Sequence, residues 1–498
     1  MIVKKLKKNN TLISKQKIIA FYALALLFIA VNLIIIVKFE NLAFNIVPVA
    51  IIVFFAMFFA LDKMLLYSVF LVPLSIPLQY VYPNINFNVE LPTEILFIGF
   101  TLLFLFKQIL DRDFDRKVIK HPISIAIYIY MGWMLITVIT STMPVVSIKR
   151  WLSMLWFVVP FFFMISQLFK KEKNIYKFYW LYIIPLLIVI IYTFANHIPH
   201  NLTHRAANFV MHPFYNDHTS YGAMLAMYFP IVIGFVFNKA IKKNIRIVSF
   251  FVLITLIIAL VFSYTRAAWV SLAGALFIYI VLKYKINYRY ILSGIVILIL
   301  TFFIFKTDIY LFLEKNTQDS SSDFGEHLRS ISNVATDASN VERINRWNCA
   351  IRMFNEKPVF GWGPGTYQFN YAPFQFSYER TIISTNIGDM GNAHSEYLGP
   401  LSESGLLGML SFIFMSLIIF IYGVQNYIKA KSKEIKIIVA STICGFSTYL
   451  IHGFLNNFLD TDKASVPFWG FAAIILAVDI YLNKKETDPL HRKSEYNI

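Results

Sequence analysis

Apolar runs long enough to cross a hydrocarbon core recur along almost the whole chain, at 18–37, 42–61, 64–82, 91–106, 122–140, 151–169, 176–194, 219–237, 245–263, 267–282, 290–306, 400–423, 435–455 and 466–482. An apolar helix of about 20 residues spans a bilayer, so the pattern predicts an all-α polytopic membrane protein of about 12–14 transmembrane helices. Two junctions are tight: only Asp62-Lys63 separates the second run from the third, and only Thr265-Arg266 interrupts the ninth and tenth. Read as one helix, residues 245–282 would measure about 57 Å, so the chain is expected to turn back between Tyr264 and Ala267. One long polar interruption divides the chain into N-terminal transmembrane helices (1–305), a long loop (306–398) and C-terminal transmembrane helices (399–498).

Composition agrees with this reading. With 58% hydrophobic and 15% charged residues, the chain has too little charge to cover a soluble surface of 498 residues. The formal charge of +17 raises nucleic acid as a partner. With the N-terminus in the cytoplasm, however, 31 of the 45 Lys and Arg fall in cytoplasmic segments such as "MIVKKLKKNN" and "NKAIKKNIR", leaving 14 outside. That is the positive-inside bias. It accounts for the basic balance without nucleic acid, and it predicts both termini in the cytoplasm and the 306–398 loop outside. Eight of the outer 14 lie in that loop, and Lys149, Arg150, Arg205 and Arg266 hug the outer ends of spans, where the bias does not explain them. The lysine-rich start lacks a small-residue cleavage site and reads as a retained signal anchor. Cys349 falls in the loop and Cys444 in a span, so no disulfide is expected.

The loop carries most of the candidate chemistry. Its first third, "NTQDSSSDFGEHLRSISNVATDASN", is too poor in aliphatics to build a core. "SNVERINRWNCAIRMFNEKP" then reads as a helix, with Ser339 and Glu342 spaced as a capping box, Pro358 just past its end, and Arg343 and Trp347 on one face. Gly361, Gly363 and Gly365 of "GWGPG" could aim backbone amides at a phosphate, but no strand precedes them, and a plain turn is the expected role. Tyr367, Phe369, Tyr371, Phe374, Phe376 and Tyr378 could stack on sugars or, more readily, form an interfacial aromatic belt. "AHSEYLGPLSESGLLG" holds His394, Glu396 and Glu403 at the mouth of the next span, where a histidine ordinarily caps the helix or reaches to the interface. Upstream, "MHPFYNDHTSYGAML" puts His212, Asn216 and His218 before another span. Asp111, Asp113 and Asp115 alternate with basic residues, as in a solvated loop. Asp460 and Asp462 form an outer pair; no metal role is expected for either set.

Three stretches, in order and on the outer side, resemble the O-antigen ligase and polymerase superfamily of bacterial envelope glycan assembly: "SYTRAAW", "ERINRWNCAIRMFNEKPVFGWGPGTY" and "AHSEYLGPLSESGLLG", covering roughly residues 260–425. The resemblance implies that Arg266, Arg343 and His394 are the catalytic residues. Two positions depart from the family pattern. Ser395 stands where asparagine is usual, which bears on how the histidine is oriented, and Trp362 stands where a small aliphatic is usual, which bears on the shape of the acceptor pocket.

It further implies an enzyme of the bacterial inner membrane that moves a glycan from an undecaprenyl diphosphate-linked donor to an acceptor hydroxyl at the outer face. A ligase uses lipid A core as acceptor; a polymerase uses another membrane-tethered, carrier-linked repeat. Such transfer needs a base for the hydroxyl proton, which suits His394, and a clamp for the departing diphosphate. Guanidinium forks such as Arg266 and Arg343 suit the clamp. No cofactor is expected, since charge supplied by arginines makes a divalent ion unnecessary, and direct attack on the anomeric carbon inverts its configuration. Arg346, Trp347, Gly363, Glu396, Glu403, Asn216, His218 and Arg150 are the expected substrate contacts, Glu396 and Glu403 by orienting His394 or pairing with an arginine. Arg346 and Arg352 share the helix of Arg343 and could replace it. A transporter or flippase would share the span count, but such carriers gather charge near the bilayer midplane, whereas here it collects at outer turns.

Overall fold

The computed structural model describes residues 22–38, 43–82, 89–111, 114–287, 338–380 and 391–483, with single positions at 19, 289, 290, 293, 304 and 384. The expected span at 290–306 and the polar stretch before Ala338 lie outside the described residues. The chain divides into two units, Met1–Met64 and Leu65–Ile498.

In the first unit, α1 (Tyr22–Lys38) and α2 (Ile46–Phe59) flank a short turn at Ala43–Asn45. Phe28 stacks on Phe44 at 5.2 Å, and Asn32 donates its amide to Asn45 Oδ1 at 2.5 Å, the kind of polar contact that fastens apolar helices in lipid. The next helix, α3 (Leu61–Leu71), crosses into the second unit and corrects the expected span at 64–82. It ends where Pro73 enters a 3-10 turn, and Pro77 follows; proline lacks the amide that a helix interior needs. Ile76–Pro77 (β1) instead pairs antiparallel with Glu90–Leu91 (β2).

Ten helices among the described residues are long and apolar enough to cross a membrane. They begin with α4 (Thr93–Asp111), α5 (Pro122–Ile139), α6 (Pro144–Val158), α7 (Glu172–His197) and α8 (His218–Phe237). They continue with α9 (Lys243–Phe262) and α10 (Arg266–Tyr284). After the loop helix α11 (Ala338–Glu356) come α12 (Leu398–Lys429), α13 (Lys433–His452) and α14 (Asp462–Ala477). The turn expected near Tyr264 is present, since α9 ends at Phe262 and α10 starts at Arg266. Every residue of α14 is buried, as befits a helix apolar on all sides, and α13 packs against α8, α10 and α12. Cys349 and Cys444 are both buried and free.

One break in a helix shapes the site. Gly405 interrupts α12 with φ 71° and ψ −170°, a conformation essentially confined to glycine. The break frees carbonyls that an unbroken helix would occupy, and other segments claim them. Trp362 N donates to Ser402 O at 3.1 Å and Gly363 N to Glu403 O at 2.7 Å, while Trp133 Nε1 donates to Ser404 O at 2.8 Å. Leu406 N donates in turn to Pro358 O at 3.0 Å. A Cβ at Gly405 would sit 2.1 Å from Val359 O. Gly405→Ala should therefore carry about 1–3 kcal/mol of backbone strain besides that clash, seen as a lower unfolding temperature. An unchanged melting curve would show that the break is not needed.

Candidate active site

Separate segments bring the candidate side chains to one end of the helix bundle. Arg266 opens α10 two residues after Tyr264, which adopts a positive φ of 52°. Tyr264 donates its hydroxyl to Leu202 O at 2.9 Å and Thr265 Oγ1 donates to His218 O at 2.6 Å, so this turn is tied to the start of α8. His204 lies edge-on between Tyr264 and His218, with ring centroids 5.2 and 6.1 Å away. From α11, Arg343 Nε donates to Leu455 O at 3.2 Å, and one turn on, Trp347 Nε1 donates to His394 O at 3.4 Å. The shared face expected for Arg343 and Trp347 is thus directed at the segments around His394 and Leu455.

His394 sits in the left-handed region at φ 47°, held by its own amide donating to Asn392 Oδ1 at 3.0 Å. Such a conformation is uncommon outside glycine, though histidine is among the residues that tolerate it. Burial, with the Arg343 and Arg346 guanidiniums beside it, pushes the imidazole down to about 4, against the opposing charges of Asp217 and Glu342. Burial also pulls Arg343 below its ordinary range, Asp217 opposing. Arg343 acts electrostatically on Arg266, His218 and His452 as well. The site is a poorly hydrated concentration of positive charge around one imidazole.

Two residues at this centre carry no motif. Asp217, between the noticed Asn216 and His218, caps α8 by accepting from Ser220 N at 2.7 Å and Thr219 Oγ1 at 2.8 Å. Burial works against its charge, yet His218 and these bonds hold the carboxyl below its usual range. Its charge reaches Arg343, His394 and His452. His452, the last residue of α13, is buried with neither ring nitrogen hydrogen-bonded. The sequence signal for Asp217 was an acid at a helix N-cap position; for His452 there was only a histidine ending a span.

The other expected contacts divide. Arg346 Nε donates to Glu342 Oε1 at 2.8 Å and its guanidinium lies 3.8 Å over the Tyr371 ring. Glu342 therefore serves an ion pair instead of a capping box, and α11 already includes Ser339. Arg352 is forked onto Glu379 and lies over Phe376, a structural placement away from Arg343. The Gly361, Gly363 and Gly365 amides donate to Lys357 O, Glu403 O and Glu403 Oε2, so "GWGPG" is a docked turn and offers no phosphate nest. Glu403 also accepts from Tyr367 N at 3.1 Å. Glu396 Oε1 accepts from Tyr449 Oη, Phe458 N and Leu459 N at 2.5, 2.8 and 2.9 Å. Both carboxylates thus fasten backbone rather than the His394 ring. Burial nonetheless raises Glu396 above its ordinary range.

The two departures from the family pattern have plain structural roles. Ser395 Oγ accepts from Tyr397 N and Leu398 N, capping α12, both at 3.3 Å. Trp362 donates Nε1 to Met353 O at 3.0 Å and packs in the loop's small core. Tyr367 and Tyr371 belong to that core too, which corrects the aromatic-belt expectation for them. Asp462 accepts from Ser75 Oγ and Thr93 Oγ1, both at 2.6 Å, and pairs with Lys463 at 3.2 Å, while Asp460 faces Arg150 at 4.0 Å. The two aspartates point into different surroundings. His212 is absorbed in a local turn through Asn216 O at 2.6 Å. Asp115 accepts from Tyr481 Oη at 2.6 Å and Lys117 N at 3.0 Å; Asp113 lies outside the described residues.

Two cavities flank the His394 segment. An apolar groove of about 490 Å³ runs along α12 past Met409, Ile413, Leu417 and Phe420, and closes at Trp347 and Ser395. A polar chamber of about 810 Å³ lies beside Asn392, Ala393 and Ser395, with Asn216 and Arg150 in its wall. Residues 250–413 match the family model described as O-antigen ligase. That stretch of the chain is similar to the O-antigen ligase family. The matched stretch holds Arg266, Arg343 and His394, whereas Asp217, Arg150 and His452 lie outside it. No curated protein matches the chain.

Proposed function

We propose that the protein is a glycan transferase that moves an oligo- or polysaccharide from a polyprenyl diphosphate carrier, undecaprenyl diphosphate in bacteria, to an acceptor hydroxyl, and that it acts as a ligase. The observation that carries this reading is the convergence of Arg266, Arg343 and His394 where an apolar groove ends at Trp347. An amphipathic donor fits it: the isoprenoid tail lies in the groove, and the diphosphate lies between two guanidiniums that otherwise repel each other. The acceptor oxygen attacks the anomeric carbon as the bond to the diphosphate breaks, inverting the centre, and His394 takes the hydroxyl proton. The diphosphate leaves as an anion already matched by arginine, so no divalent ion is needed.

Donor binding also prepares the base. Free, His394 is weakened by the positive field of Arg343 and Arg346. A diphosphate placed there cancels much of that field and raises the imidazole toward the neutral range in which a general base works best. Catalytic strength thus appears only with the donor in place.

The ligase assignment rests on how fully "SYTRAAW", "RWNCAIRMF" and "AHSEYL" follow the ligase pattern. Deleting the gene and resolving the envelope glycans on a gel tests it. A ligase mutant accumulates long carrier-linked polymer beside bare lipid A core. Cores bearing a single repeat would make the protein a polymerase, with the same roles for His394, Arg266 and Arg343.

A further inference from the structure

We propose that the polar chamber beside His394 is the acceptor saccharide site, built jointly by α4–α6 and by residues of the matched region such as Gly365, Gln368 and Glu403. The inference rests on the transferase reading and assigns one substrate of that reaction to a place. The chamber's volume, about 810 Å³, falls within the usual range of small-ligand sites. Its walls alternate aromatic faces (Tyr130, Trp133, Trp156) with polar groups such as Arg150, Gln368 and Asp460. An isoprenoid tail would want the uniformly apolar wall that the groove offers. A diphosphate would want uncompensated cations, but Arg150 lies 4.0 Å from Asp460 and interacts with Glu403. A sugar ring presents both an apolar face and an edge of hydroxyls, and this wall matches both. Trp156 Nε1 is buried with no hydrogen-bond partner, leaving a donor for a hydroxyl oxygen.

Position separates this site from the donor's. The chamber and the groove share only Ser395, next to His394. A hydroxyl presented from the chamber reaches the imidazole from a different side than the lipid tail, as displacement with inversion requires of nucleophile and leaving group. Its wall joins residues ahead of the matched region, among them Tyr130, Trp133, Arg150 and Trp156, to residues within it such as Gly365, Gln368 and Glu403.

The test uses the purified full chain in nanodiscs, with oligosaccharides released by mild acid from the envelope of the cells it comes from as the binding probe. Ser153→Phe puts a ring into the chamber, and Trp156→Phe removes the unpartnered N–H while keeping an aromatic face. Saccharide binding, read by saturation-transfer NMR, should weaken about tenfold or more in Ser153→Phe and less in Trp156→Phe. In transfer assays the acceptor KM should rise by a similar factor while the donor KM stays within about twofold. Arg343→Lys should leave saccharide binding intact. Should Ser153→Phe fail to fold, the weakened binding in Trp156→Phe decides. The proposal is overturned if the native protein binds none of the saccharides, if the variants bind as tightly as native, or if donor and acceptor KM move together. Binding without any transfer would instead remove the transferase reading and leave the saccharide site standing.

Discussion

His394→Ala is expected to slow glycan transfer about 10²–10⁴-fold, the range for loss of a positioned general base, with insertion and folding intact. The imidazole is fixed by its backbone, through Asn392 Oδ1 and Trp347 Nε1, so deleting the ring leaves those anchors in place. His394→Asn makes the sharper control, because asparagine tolerates the left-handed backbone at this position. The pH dependence carries the same claim. Neutral imidazole is the active form, so activity is present above the folded-state pKa and lost below it. With His394 pushed down to about 4, the acid limb of kcat/KM, which reports the free enzyme, should fall well below the ordinary histidine value of about 6.5. The limb of kcat, which reports the donor complex, should lie higher. A kcat limb below that of kcat/KM would contradict donor-induced strengthening of the base.

Arg343→Lys should be nearly as severe, lowering transfer about 10²–10³-fold, as removal of one preorganised transition-state donor does elsewhere. Arg343 commits Nε to Leu455 O. A lysine is a point charge on a flexible stem and cannot hold Leu455 O and a phosphate in one rigid geometry. Arg346 and Arg352 cannot step in, since Glu342 and Glu379 already bind them. Pyrophosphate should raise the unfolding temperature of the native protein by linkage, and this shift should shrink in Arg343→Lys. Arg380→Ala should be mild by comparison. Equal loss at Arg343 and Arg380 would mean a damaged loop and no specific clamp.

The spans and the three motifs were legible because each rests on local pattern: apolar length, a charge confined to a turn, residues four apart on a helix. In the fold Arg343, on the loop helix, acts electrostatically on both Arg266 and His394. What the sequence hid depends on contacts between distant segments. Glu396 and Glu403 were expected to orient His394 or pair with an arginine; Glu403 does interact with Arg150, but the oxygens of both are held by backbone amides of residues 458, 459, 365 and 367. A plain turn was the expected role of "GWGPG"; unforeseen was the break at Gly405, whose carbonyls accept from the Trp362 and Gly363 amides. Asp217 read as one more helix cap, and only the fold places it among three histidines and Arg343. The chamber answers to no single motif, since its wall joins residues of α5 and α6 to residues of the "GWGPGTY" and "AHSEYLGPLSESGLLG" stretches.

The most direct measurement reconstitutes the purified protein in vesicles with a carrier-linked donor whose glycan is labelled, together with the acceptor glycolipid, and follows both transfer and lipid translocation. The account predicts label on the acceptor, with free polyprenyl diphosphate released in equal amount, and neither product with His394→Ala. Labelled donor crossing the bilayer with its glycan still attached, at the same rate in native protein and His394→Ala, would contradict it.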